Sequence, residues 1–234
     1  MPTFQPPATP QSAVTIRIPG ASPFKNTHTK TGRPLFTIGH SNHPIEAFVE
    51  LLHRHDVTAV GDVRSHPYSR YVPQYSREPL KAALTRAGIA YVFLGKELGA
   101  RSPNPACYKQ GKVQYDCLAR QPQFSDGIKR VIQGMQRHRI ALMCAEKDPL
   151  ECHRTLLVAR KLHDAGLEIA HIHADSSLED HRALESRLLG VCKLPEGDMF
   201  KQRDEFVSEA YAIQGERVAY QDESMEQLEK TSAS

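Results

Sequence analysis

The chain has 234 residues, enough for one domain with extensions. Hydrophobic residues make up 40% and charged residues 24%, the balance of an ordinary globular protein, and no apolar run approaches the roughly 18 residues a membrane span needs. The net charge of +3 hides an asymmetry: Arg64 to Lys112 carries nine Lys/Arg against two acids, whereas Ala174 to Ser234 carries fourteen acids against seven bases. The middle of the chain suits an anionic partner and the tail does not. A plain solvated surface also accounts for any single one of these charges.

The N-terminal segment has no charged region followed by an apolar core, so no secretory signal is read there. The odd cysteine count (Cys107, Cys117, Cys144, Cys152 and Cys192) then points to reduced thiols in a cytoplasmic protein. Residues 1–33 are rich in Pro, Thr, Ser and Gln and read as a disordered arm. One α/β domain is expected over 34–221, and a disordered tail over 222–234.

Within the domain, strand and helix patterns alternate. LFTIG (35–39) is an apolar run ending in Gly, and Ile45, Phe48, Val49 and Leu52 then recur at helical spacing behind Pro44. TAVGDV (58–63) is the second strand. Ser76 is placed to cap a helix carrying Leu80, Ala83, Leu84 and Ala87, ended by Gly88. IAYVFL (89–94) is the third strand, followed by a loop from Gly95 to about Pro122, longer than a connection needs. Phe124, Ile128, Val131, Ile132 and Met135 mark a helix, and IALMC (140–144) is the fourth strand. Asp148, Pro149 and Glu151 look like the N-cap, N1 and N3 positions of a helix that stops at Gly166. EIAHIH (168–173) is the fifth strand, and two helices are expected near 178–189 and 203–219. This order predicts a Rossmann-like, mostly parallel sheet of about five strands, covered by helices on both faces, with extra C-terminal helices.

Ligands of such sheets sit beyond the carboxyl ends of the strands. The residues found there are His40, Ser41 and Asn42; Asp62, Arg64 and Ser65; Lys96 and Glu97; Cys144, Glu146 and Lys147; and His173. TIGHSN (37–42), DVRSHPYS (62–69), LGKELGAR (94–101) and MCAEKDPLECHR (143–154) resemble the motifs of the domain of unknown function 488 family, and LEDHRALESRLL (178–189) and EAYAIQGERVAY (209–220) extend the likeness over about 35–220. The resemblance implies a Rossmann-like sheet and supplies no reaction. A weaker likeness, to rhodanese and Cys-phosphatase-like domains, lies in DVR at a strand end and a later Cys followed by an Arg that opens a helix. Here nine residues separate Cys144 from Arg154, too many for the tight anion-cradling loop of those domains.

Each candidate has two readings. Cys144 is either a core thiol or a thiolate facing the next helix, its pKa lowered by helix amides and by Lys147, His153 or Arg154. Glu146 is a loop carboxylate or a general base, and Asp62 a structural partner of Arg64 or Arg154 or a catalytic group. His40, Ser41 and Asn42 either cap the first helix or meet a substrate. Arg64, Ser65, Cys152, His153 and Arg154 complete the substrate-binding candidates. Tyr68, Tyr71 and Tyr75 interleave with Arg70 and Arg77, which suits phosphates and unstacked bases or a loop packed on the domain. No cofactor is expected. Cys144, Cys152 and His153 are of metal-ligand type, but no CxxC or HExxH is present, and Cys152 and His153, adjacent on a helix, point about 100° apart; Glu146 could supply another ligand, so zinc stays open as the alternative to no metal. The resulting expectation is an enzyme acting on a phosphate-bearing small molecule, nucleotide or nucleic acid, through Cys144, Glu146 and Asp62. The alternative is a nucleic-acid-binding module using Arg64–Lys112.

Overall fold

A computed structural model describes residues 32–232. The expected arm at 1–33 therefore lies almost wholly outside the described residues. The sheet follows the apolar runs: β1 (Leu35–Gly39), β2 (Ala59–Asp62), β3 (Ala90–Phe93), β6 (Ile140–Cys144) and β7 (Ile169–Ile172) are all parallel, in the order β3-β2-β6-β1-β7. The antiparallel strand β8 (Leu178–Asp180) closes the far edge. β1, β2 and β6 are buried at every position, which is why they read as unbroken apolar runs, whereas edge strand β3 alternates exposed and half-buried residues.

Side chains divide between the two faces by strand alternation. Phe36, Ile38, Val60, Ala141 and Met143 pack against α1 (Ile45–Arg54) and α2 (Arg77–Arg86). Leu35, Ala59, Ile140, Leu142 and Cys144 face α5 (Pro122–Met135) and α6 (Arg160–Asp164). Cys144 thus belongs to the second face, at the last position of a central strand.

Several local expectations change. Ser76 stands at the N-cap position of α2, but its hydroxyl meets the backbone of Ser69 and closes the preceding loop. The long Gly95–Pro122 segment is built rather than open. It contains α3 (Gly95–Leu98), a hairpin of β4 (Tyr108–Lys109) and β5 (Lys112–Val113), and α4 (Tyr115–Arg120). The hairpin turns on Gln110 and Gly111, both with positive φ, as a two-residue turn of this hand requires. The hairpin brings Cys107 and Cys117 to a Cα separation of 5.2 Å, and they form a disulfide. The expectation of five reduced thiols fails for this pair, and with it the support that thiol state lent to a cytoplasmic location. Among the described residues no helix is long and apolar enough to cross a membrane.

The expected helix at 178–189 splits. Leu178–Asp180 pairs with β7, and Asp180 then caps α7 (His181–Cys192) by accepting from the amides of Arg182 and Ala183. The tail expected to be disordered forms α9 (Glu223–Ser232), anchored where the Asp222 amide donates to the Gly111 carbonyl. α7 and α8 (Arg203–Val218) share an apolar seam of Leu184, Leu188, Phe206, Val207 and Ala210.

A buried polar chain ties this helix pair to the sheet. Thr37 Oγ1 lies 2.7 Å from His171 Nδ1, His171 Nε2 lies 2.9 Å from His181 Nδ1, and His181 Nε2 lies 3.1 Å from the Tyr211 hydroxyl. Burial, reinforced by the neighbouring His181, holds His171 well below the ordinary imidazole range. Burial, with His163 nearby, lowers His181 to about 3. Both therefore stay neutral in the fold, while the unfolded chain protonates them near 6.5. Their contribution is complete above that pH and is lost as pH falls below it, by about 1.4 kcal/mol per pH unit for each histidine. Denaturant unfolding at pH 7.5 and pH 5 should show a large drop at the lower pH, and His181→Asn should flatten it. A wild-type stability that is level across this range would contradict the neutral chain.

Candidate active site

The connections leaving β2 and β6 run in opposite directions along the sheet, to β3 and to β7, and such a reversal opens a crevice at the carboxyl edge. A cleft of about 310 Å³ lies there, lined by His40, Arg64, Ser65, Cys144, Glu146 and His153 from the sequence candidates. A larger hollow of about 710 Å³ lies elsewhere, lined by Ala59, Val60, Ile140, Arg130, Arg137 and His138; it has no thiol or carboxylate in its lining and so carries no candidate chemistry.

Asp62 sits fully buried beneath the cleft and grips Arg64 with both oxygens, Nε to Oδ1 at 2.9 Å and Nη2 to Oδ2 at 2.6 Å. The Tyr91 hydroxyl donates to the same carboxylate at 2.8 Å. The remaining terminal nitrogen, Nη1, lies 3.1 Å from His40 Nε2, and His40 Nδ1 lies 2.8 Å from the Ser41 carbonyl. That contact makes Nδ1 the protonated nitrogen of His40 and leaves Nε2 to accept from Arg64. Burial and the Arg64 charge lower His40 to about 4, so it is neutral at physiological pH. Its ring stacks on Tyr75, with centroids 4.1 Å apart.

The segment after β6 departs from the expected helix. Asp148 accepts from the Leu150 amide and caps only a short 3₁₀ turn, Pro149–Glu151. Cys152 is then extended, with φ −139° and ψ 137°, and a π-helical turn over Arg154–Ala159 leads into α6. The break turns both Cys152 and His153 back toward Cys144. His153 Nδ1 lies 3.7 Å from Cys144 Sγ and 3.9 Å from Cys152 Sγ. His153 Nε2 donates to the Val63 carbonyl at 3.0 Å, and Cys152 Sγ is 2.9 Å from Glu146 Oε2. The expectation that these two side chains diverge by about 100° therefore does not hold, because it assumed a helix through Cys152.

Arg154 is placed differently from its expected role. It is 1% exposed, and its guanidinium donates to the Glu146 carbonyl at 2.7 Å and the Lys147 carbonyl at 3.3 Å. It holds the loop and does not line the cleft. Gly39 permits this packing, since a Cβ there would stand 1.9 Å from the Glu146 carbonyl oxygen. Ser41 has φ 48° and, with exposed Asn42, stays outside the cleft. Neither caps α1, whose N-cap position is Pro44 and has no side-chain bond. Glu97 pairs with Arg130, and His173 with Glu179; neither joins the cleft, nor do Lys96 and Lys147. Sequence reasoning missed His66, Arg101, Tyr115, Glu151 and Tyr220, which also line the cleft. His66 and Arg101 lay within the family-like motifs and were the most findable. Tyr220 closed the family-like motif at 209–220, whereas Tyr115 arrives from the long loop and carried no local signal.

The profile of the family described as Domain of unknown function DUF488 matches residues 44–161. The chain belongs to this family. The match is shorter than the 35–220 over which the motifs were traced. No curated protein and no solved structure matches the chain. The DUF488 region contains Asp62, Arg64, Cys144, Glu146, Cys152, His153 and Arg154, whereas His40 and the α7–α8 pair lie outside it.

Within this DUF488 site the polarised thiol is not the expected one. The contact with Cys152, then burial, pushes Cys144 well above the ordinary thiol range. Burial opposes ionisation of Cys152 too, but the hydrogen bond from Cys144, the Arg154 charge and the contact with His153 outweigh it and bring Cys152 well down. The helix-opening amide also serves Cys152, with Arg154 N 3.4 Å from its sulfur. Burial would lower His153, and its contacts with Cys152 raise it instead. Burial and Cys152 raise Glu146. The ionisation of Cys144, Glu146, Cys152 and His153 is thus interdependent.

The Asp62–Arg64 pair is testable by stability. Asp62→Asn leaves a buried guanidinium without its counter-charge and should cost about 3–5 kcal/mol in denaturant unfolding. An unchanged midpoint would mean that the pair is not sealed from water.

Proposed function

We propose that the chain is an enzyme acting on a phosphate-bearing small molecule, nucleotide or nucleic acid in the β2–β6 cleft. The observation that carries this reading is the placement of Arg64, immobilised by Asp62, in the same cleft wall as Cys144 and His153, which cluster with Cys152. Arg64 retains N–H groups beyond the three that hold Asp62 and His40, and Arg101, whose guanidinium lies over Tyr220, adds a second cation at the rim. A bound anion would meet both, while the chemistry falls to the cluster and to Glu146 at the mouth. Transferase or hydrolase chemistry fits these groups.

Inorganic phosphate and a set of nucleoside phosphates, titrated by calorimetry, test the reading. Arg101→Ala should weaken binding about tenfold with the fold intact, the loss expected for one charge-assisted hydrogen bond. Arg64→Lys should weaken it at least as much, because a lysine cannot reproduce the fork. Failure of the wild-type chain to bind any of these compounds would remove the phosphate assignment.

One observation favours nucleic acid as the substrate or as a purely bound partner. Tyr68 and Tyr71 are 76% and 85% exposed, beside Arg70, and Tyr68 reaches the cleft. Exposed rings beside arginine suit unstacked bases. Single-stranded RNA should bind weakly, with affinity falling steeply between about 50 and 200 mM salt. Tyr68→Ala combined with Tyr71→Ala should weaken it further; absence of binding at the lowest salt would leave only the small-molecule phosphate.

A further inference from the structure

We propose that Cys144, Cys152 and His153 hold a zinc ion whose remaining coordination position opens into the cleft. The inference rests on reading that cleft as the place of chemistry, but concerns what occupies its floor.

The geometry is that of a ligand set. The two sulfurs and His153 Nδ1 all lie within 4.8 Å of one another. Tetrahedral zinc with sulfur at about 2.3 Å and nitrogen at about 2.0–2.1 Å sets neighbouring ligands roughly 3.5–3.8 Å apart. The sulfur–nitrogen separations of 3.7 and 3.9 Å already match this within a few tenths of an ångström. Little movement is needed to close the set on one ion.

The surroundings match as well. His153 commits Nε2 to the Val63 carbonyl, which directs Nδ1 at the two sulfurs. A ligating histidine commonly holds its other nitrogen in this way, through a backbone carbonyl. The Arg154 amide donates to Cys152 Sγ, a contact that steadies a thiolate without competing for its place at a metal. Two thiolates balance the ion's charge inside a buried floor, where an unpaired dication would be costly. Cys144 and His153 line the cleft and Cys152 does not, so the ion would meet the cleft on one side only. Three protein ligands with one open position is the arrangement of catalytic rather than structural zinc. Glu146 lines the same cleft and accepts from Cys152 Sγ at 2.9 Å, so it is placed to take the thiol proton released when Cys152 ligates the ion.

A second group, His163, His181 and Glu185, has ligand-type side chains within the same spacing, but it does not compete. Both ring nitrogens of His181 are engaged, by His171 and Tyr211, and Glu185 pairs with Arg203. Thiolate and imidazole together select zinc over magnesium or calcium. Of the other cysteines, Cys107 and Cys117 are joined to each other, and Cys192 lies against the Ala210 carbonyl in the α7–α8 seam.

The test is the metal content of the full chain, purified under a phosphine reductant, stripped with chelator and reloaded with zinc, by plasma mass spectrometry. About one zinc per chain is expected for wild type and for Cys192→Ser. Cys144→Ser and Cys152→Ser should each fall below about a tenth of that occupancy in dialysed samples. Cobalt loaded into the wild-type chain should give the intense visible bands of a tetrahedral site and a sulfur charge-transfer band in the near ultraviolet. This readout needs no variant to fold. Wild type that takes up no zinc, a Cys144→Ser chain that keeps stoichiometric zinc with native circular dichroism, or cobalt spectra without the sulfur band would each overturn the assignment. Phosphate binding measured on the same samples separates the two ideas: a chain that binds phosphate without metal loses only the zinc, and one that holds zinc without phosphate loses only the substrate class.

Discussion

The arrangement of the cleft hangs on the buried guanidinium of Arg154. A charge at 1% exposure is costly unless its donors find acceptors, and here Nη1 and Nη2 take the carbonyls of Glu146 and Lys147, while the buried Nε has no partner among the described residues. Those carbonyls belong to the loop between β6 and the next helix, so the same bonds that hold the arginine decide the path of the loop. That path sends Cys152 and His153 back over the end of β6 and sets Glu146 at the mouth. It also brings the loop backbone against β1, where only a glycine at position 39 leaves room. Loop, strand end and helix start are therefore one interlocked unit rather than three neighbouring segments.

A second buried charge, Arg64, is stabilised differently. Its partner is a carboxylate, and the pair is completed by Tyr91 from the edge strand and His40 from the end of β1. The two arginines divide the labour: Arg154 shapes the backbone and Arg64 presents charge. Both sit beyond the carboxyl ends of parallel strands, where backbone groups no longer pair within the sheet and side chains take over the hydrogen bonding. The α7–α8 pair adds a third buried polar system on the flank, through neutral histidines rather than charges.

The likeness to rhodanese and Cys-phosphatase-like domains fails at the same point where the site acquires its own character. Nine residues between Cys144 and Arg154 are too many to wrap a single anion, and the chain uses them for a capped 3₁₀ turn and an extended residue. The outcome is a two-sulfur, one-imidazole cluster instead of a single cysteine in a ring of amides.

Much was legible from local pattern. The five parallel strands emerged within a residue or two, because central parallel strands must be apolar on both faces and end where polar residues begin. Asp62, Arg64, Cys144 and Glu146 were findable by position, since topology alone makes those strand ends converge. What the residues could not disclose locally were interactions between distant parts of the chain. The break at Cys152 cut short the helix that the Asp148 cap opens, and it falls where Arg154 turns to bond the carbonyls of the preceding loop. The Cys107–Cys117 disulfide depended on a hairpin whose strands are two residues each, too short to show a period. Which thiol is pushed up and which down depended first on Cys144 lying against Cys152, with Arg154 and His153 close by, a matter of three-dimensional placement. Sequence by itself determined the sheet, the helices on its faces and the edge where a site must lie, because these follow from hydrophobic period and chain connectivity. Tertiary structure alone decided which side chains meet there and in what state, because burial and charge pairing act across space between residues far apart in the chain.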